Sequence, residues 1–272
     1  MNTPTPQPGR VFAFFSCKGG VGTTLLTVTL GYLLAQQWQR RVLVVDWVRP
    51  YGDAALWLTS EEPRSDLQEL LSRPERLDPT LLRSALLMPQ SRLAVLPAAQ
   101  DGSATIPAGA AQHLLALARH QFDCILCDCG RVQDALILEV LRCADRLLPL
   151  LQPTLPMMRD ARRLLATLRE AGIAHDRMVP LVNRGPAALH VLQQDMLEQA
   201  LGSRIRHRVP DAAHLARLLH ARAQAGWPKA LLHLANALAR PQPRQDPMPG
   251  LLQRWWRKQW RWNPPSPDQE AP

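Results

Sequence analysis

The sequence predicts an α/β domain with a doubly wound, mostly parallel sheet and helices on both faces, followed by a C-terminal amphipathic tail. Three observations predict it. Apolar runs of strand length alternate with longer helix-like stretches along residues 11–239, the order that lays helices against a parallel sheet. Runs such as Val42-Leu43-Val44-Val45 are apolar at every position, as strands covered on both faces require. The segment Lys18-Gly19-Gly20-Val21-Gly22-Thr23-Thr24 follows the first such run and opens the first helix, the context in which a glycine-rich turn binds phosphate.

In chain order, strand 11–15 leads through the glycine loop into helix 23–38, and 41–46 forms a second strand ending at Asp46. Short helical segments at 66–72 and 78–87 precede strand 93–96 and helix 108–120. Strand 124–127 ends at Asp128, followed by helix 133–143 and strand 146–151. Helix 157–171, strand 178–182, helix 187–201, strand 204–209 and helices 211–225 and 228–239 complete the domain, expected over 11–240. Residues 1–10 are polar and read as a disordered start. Residues 241–250, with four prolines and a glycine, read as a linker, 251–262 as a basic amphipathic helix, and 263–272 as a disordered end.

Composition narrows the class. With 272 residues and 46% apolar content, the chain supports a sizeable core. No apolar run reaches the roughly 18 residues of a spanning helix, and no signal pattern opens the chain, so a cytoplasmic protein is expected. Cys124 and Cys127 fall on opposite faces of one strand and no second ligand pair follows, so buried free thiols are expected. The net charge of +9 favours an anionic partner, nucleic acid or membrane surface.

The glycine loop carries the chemistry. Its glycines let the backbone approach an anion, and the amides opening the next helix point at it. Lys18 stands at the front of the loop in a chain with only three lysines against 29 arginines, and Thr23 stands where a standard phosphate loop has its lysine. Asp46 and Asp128 each close an apolar strand, where a carboxylate holds magnesium directly or through water beside Thr24.

Residues 18–24 resemble the deviant Walker A loop of the MinD/ParA superfamily of P-loop ATPases, and the resemblance covers about residues 10–240. It implies ATP and Mg2+ as cofactors, with Lys18, Gly19, Gly20, Val21, Gly22, Thr23 and Thr24 around the phosphates. It implies that Lys18 reaches across a homodimer, that Thr24, Asp46 and Asp128 serve the metal and catalysis, and that Asn183 contacts adenine. The segment 44–56 and the run Arg73-Pro74-Glu75-Arg76-Leu77-Asp78 look like the TadZ/CpaE branch. That branch implies a localisation and assembly factor for a tight-adherence (Flp, type IVc) pilus or secretion apparatus at the inner membrane, at a cell pole, with pilus or secretion assembly proteins as partners. Alternatives within the superfamily are a cellulose-synthase accessory protein and a ParA-type partitioning ATPase.

Two departures weaken hydrolysis. Thr23 removes a cation whose phosphate contact is worth about 1.5–3 kcal/mol, and Val48 replaces an acid that relatives often use to order the attacking water. At most a weak ATPase is expected.

The tail holds four of the eight tryptophans. On a helical wheel Leu251, Leu252, Trp255, Trp256, Trp260 and Trp262 share one side, and Arg254, Arg257, Lys258 and Arg261 the other. Such a helix suits the headgroup layer of an anionic membrane. The same mixture also suits a protein partner, the domain's own surface or nucleic acid.

Overall fold

The structure, a computed structural model, describes residues 7–99, 106–132, 134–183, 191–209 and 212–240, all within the compact unit Met1–Gln242. The expected linker, the ten tail residues named above and the chain's end lie outside the described residues.

Eight strands form one sheet: β1 (Arg10–Ser16), β2 (Val42–Asp46), β3 (Leu87–Gln90), β4 (Leu93–Leu96), β5 (Cys124–Arg131), β6 (Arg146–Leu151), β7 (Leu181–Asn183) and β8 (His207–Val209). Their order is β3-β4-β2-β5-β1-β6-β7-β8, and every adjacent pair is parallel except β3 with β4. The helices are α1 (Thr23–Gln37), α2 (Ala54–Leu58), α3 (Leu67–Ser72), α4 (Pro79–Ser84), α5 (Ala110–Gln121), α6 (Ala135–Cys143), α7 (Leu155–Glu170), α8 (Val191–Leu201), α9 (Ala212–His220) and α10 (Lys229–Ala239).

The layering follows from crossover handedness. The step β1→α1→β2 runs across the sheet in the opposite direction to β4→α5→β5 and β5→α6→β6. Right-handed crossovers therefore put α1 on one face and α5 with α6 on the other, and α9 and α10 pack on α1. The doubly wound α/β fold expected from the alternation is the fold observed. β1 runs through its middle, and Val11 to Phe15 are completely buried.

Helix α1 is buried on nearly every side, from Leu25 through Ala35, because sheet lies on one flank and helices on the other. Its Gly31 permits that approach: a Cβ there would stand 2.8 Å from Val44 Cγ2. Alanine is the better helix former by about 1 kcal/mol, yet overpacking a stiff valine costs about 1–3 kcal/mol. Gly31→Ala is expected to lower stability by up to about 2 kcal/mol in urea unfolding; a rise would contradict this packing.

Several boundaries differ from expectation. The helix read at 78–87 is capped at Asp78, whose Oδ1 accepts from the Thr80 and Leu81 N–H groups, and it stops at Ser84. Leu87–Gln90 then turns back as β3, antiparallel to β4. Helix α2 is a further element beyond those the sequence predicts, and β5 continues three residues past Asp128. β7 begins at Leu181, with only a single bridge from Leu147 to Met178 before it. Helix 211–225 ends at His220, and residues 187–190 of the expected helix 187–201 lie outside the described residues.

Candidate nucleotide site

The glycine loop leaves β1 after Ser16 and enters α1 at Thr23, at the carboxyl end of the central strand. Gly20 and Gly22 lie at φ +73° and +90°, the left-handed region that glycine enters without strain. At Gly22 space also demands glycine, since a Cβ would stand 2.7 Å from Asn183 Nδ2. That amide donates to the Val21 carbonyl at 2.5 Å. Asn183 is thus buried at the end of β7 and clamps the loop, with Val21 buried beneath it. Thr23 is buried at the start of α1, and Thr24, next to it, is half-buried.

Lys18 pairs with Asp160 of its own chain, Nζ to Oδ2 at 2.8 Å. Asp160 also receives Arg159 Nε at 2.9 Å. Hydrogen bonds from Arg159 first and Lys18 second hold its carboxyl down to about 2. The lysine expected to reach across a dimer is therefore tied here to α7. Nothing near residue 18 in sequence signals Asp160; the fold brings it there.

Asp46 and Asp128 stand opposite each other at the ends of β2 and β5, both without solvent exposure. Burial pushes both carboxyls up; the charge of Asp128 raises Asp46 further, while the Ala54 and Val48 N–H groups oppose the rise. For Asp128 the opposing groups are the Thr24 hydroxyl and the Gly130 N–H. The oxygens of the pair are used differently. Asp46 Oδ1 accepts from Val48 N–H at 3.1 Å and Oδ2 from Ala54 N–H at 2.9 Å. This carboxylate organises the turn that carries residues 47–54. The turn passes so close that a Cβ on Gly52 would stand 2.5 Å from Asp46 Oδ2. Asp128 Oδ1 accepts from Gly130 N–H at 3.1 Å, whereas its Oδ2 is buried with no hydrogen-bond partner.

An unpartnered, buried carboxylate oxygen beside a threonine hydroxyl fits a hard cation. Thr24 and Asp128 meet that test better than Asp46, whose oxygens are both engaged. Among the described residues no group of three or more His, Cys, Asp or Glu forms a metal cluster. Cys124, Cys127 and Cys129 are free and buried. Burial pushes the first two up to about 12 and the third well above its ordinary value. The arrangement offers loop amides that suit an anion and one spare carboxylate oxygen, Asp128 Oδ2, that suits a cation.

Comparison with known proteins bears on the family and the fold. The septum site-determining protein MinD of a Synechocystis strain is 29% identical over 177 residues, 64% of each chain. The match thus spans less than two thirds of that relative's length. The crystal structure of a ParA family ATPase from Chlorobium tepidum TLS superposes with a TM-score of 0.73 at 25% identity, covering 84% of this chain and 98% of the other. The septum site-determining protein MinD of Pyrococcus horikoshii OT3, complexed with Mg-ADP, superposes with a TM-score of 0.63 at 18% identity, covering 85% and 96%. With residues 12–222 matching its description, the chain belongs to the CobQ/CobB/MinD/ParA nucleotide binding domain family.

Proposed function

We propose that this protein is an ATP-binding, dimer-forming switch that serves as a localisation and assembly factor for a tight-adherence pilus or secretion apparatus at the inner membrane, with weak or no hydrolysis. The observation that carries the nucleotide part is the loop's pairing with Asp128, whose Oδ2 is buried without a partner beside Thr24. Thr24 and Asp128 would hold Mg2+, which supplies positive charge to the β- and γ-phosphates. The loop amides meet the phosphates, Lys18 joins them on leaving Asp160, and Asn183 keeps the loop in shape. Thr23 in place of a lysine and Val48 in place of an acid argue for holding ATP rather than turning it over. The MinD relative that carries Mg-ADP supports the choice of ligand. The pilus branch rests on residues 44–56 and 73–78, and the membrane role rests on the amphipathic pattern of 251–262.

Calorimetric titration with ATP and ADP in the presence of Mg2+ tests the first part; no heat at millimolar nucleotide refutes it. Vesicles containing anionic lipid test the second. Deleting 251–262 is expected to abolish ATP-dependent co-sedimentation, since two tails on one dimer bind by avidity. Unchanged sedimentation removes the tail from the mechanism, and ATP-dependent binding to duplex DNA with steady turnover would instead indicate a partitioning ATPase.

A further inference from the structure

We propose that Arg131 binds the nucleotide's phosphates and supplies the positive charge that Thr23 does not bring to the loop. The proposal rests on the nucleotide-binding reading above and adds a residue from outside the loop.

The strand register places Arg131. β1 and β5 pair residue for residue from Arg10 with Cys124 to Phe14 with Asp128, but the next recorded pair is Ser16 with Arg131. Two steps along β1 thus match three along β5. The extra residue is accommodated around Gly130, which lies at φ +51°, and a Cβ there would stand 2.9 Å from Val48 Cγ2. Side chains alternate between the faces of a strand, so regular spacing would turn residue 131 away from the Asp128 side. One inserted residue turns it back, the re-aiming for which bulges are known.

The Arg131 side chain then lies over the front of the loop, with its Cδ 3.9 Å from where a Cβ on Gly19 would stand. Arg131 is exposed and has no hydrogen-bond or ion-pair partner among the described residues. Lys18, by contrast, is held by Asp160. Val48, packed at Gly130, offers the guanidinium no carboxylate. A guanidinium presents a rigid fork of N–H donors that matches phosphate oxygens two at a time, so it can do from the side what a lysine at position 23 would do from within.

The experiment is calorimetric titration with Mg-ATP of wild type, Arg131→Ala, Arg131→Lys, Thr23→Lys and Thr23→Lys with Arg131→Ala. Melting curves check that each is folded. Arg131→Ala is expected to weaken binding by about tenfold or more, with Arg131→Lys between it and wild type. In the Thr23→Lys background the same alanine is expected to cost less than about threefold, because the restored lysine serves the same charge. Equal losses in both backgrounds, or an affinity indifferent to Arg131, overturn the proposal while leaving the nucleotide reading intact. A wild type that binds no ATP overturns both.

Discussion

Asp128→Asn is expected to raise the melting temperature of the nucleotide-free protein and, in the same variant, to remove magnesium-dependent nucleotide binding. Asp46 and Asp128 face each other from adjacent strands without solvent, and one oxygen of Asp128 has no partner. A charged group left so costs about 1–3 kcal/mol or more. The amide keeps the Oδ1 acceptor for Gly130 N–H and removes the charge. For a chain of this size each 1 kcal/mol shifts the midpoint by about 2–4 °C, so a gain of roughly 3–8 °C is expected.

The dependence on pH follows in sign. Both folded carboxyls are raised above the unfolded value, which is about 3.9. The folded chain therefore holds protons that the unfolded chain releases first. Their stabilising contribution is complete below the unfolded value and declines as pH rises from about 4 towards neutrality. Wild type should lose stability over that span, and Asp128→Asn should show a flatter profile. Magnesium with nucleotide should reverse the order by stabilising wild type alone. Calorimetry from pH 4 to 8, with and without Mg-ATP, checks both halves. A midpoint lowered by the substitution would mean that the unpartnered oxygen is not a source of strain.

Gly22→Ala is expected to unseat the loop. Alanine at φ +90° carries backbone strain of about 1–3 kcal/mol, and its methyl would enter the 2.7 Å space before Asn183 Nδ2. Asn183 can yield only by giving up the Val21 carbonyl. A loss of about 2–4 kcal/mol in stability and a fall of well over tenfold in ATP affinity are expected. Gly20→Ala separates the two causes. It shares the left-handed backbone, at φ +73°, but a Cβ there meets nothing within 4 Å. It should show the strain alone, about 1 kcal/mol. If the two variants melt alike, contact with Asn183 contributes nothing.

The fold was legible wherever burial is total. β1, β2, β4 and β6 read from sequence because every residue along most of their length is apolar, and the glycines at 19, 20 and 22 announced the loop. Lost were the elements whose chemistry is mixed or whose length is short. Leu87-Met88-Pro89-Gln90 is half-exposed and carries a proline, so Leu87 was read into the preceding helix and the rest showed no strand pattern. Ala54–Leu58 is a helix of five residues, too short to show a period. At the site, Asp128 was visible because it closes an apolar run, and Asn183 through the family resemblance alone. Asp160 and Arg131 were not, since one meets the loop from the second turn of α7 and the other through an inserted residue in β5. Neither arrangement leaves a local pattern. Asp46 was visible as a strand-ending acid, but its bonds to Val48 and Ala54 belong to a turn whose path only the folded chain reveals.

The flanks of the sheet have a consequence for the solution behaviour of the protein. An unpaired strand with a long row of free amides and carbonyls is a template on which another chain can crystallise, and amyloid grows in that way. Here the row is four residues long on one flank and three on the other, and on the longer flank Pro89 has no N–H to offer. Accretion of strands into fibres finds little purchase among the described residues, even though the interior is rich in leucine, valine and alanine.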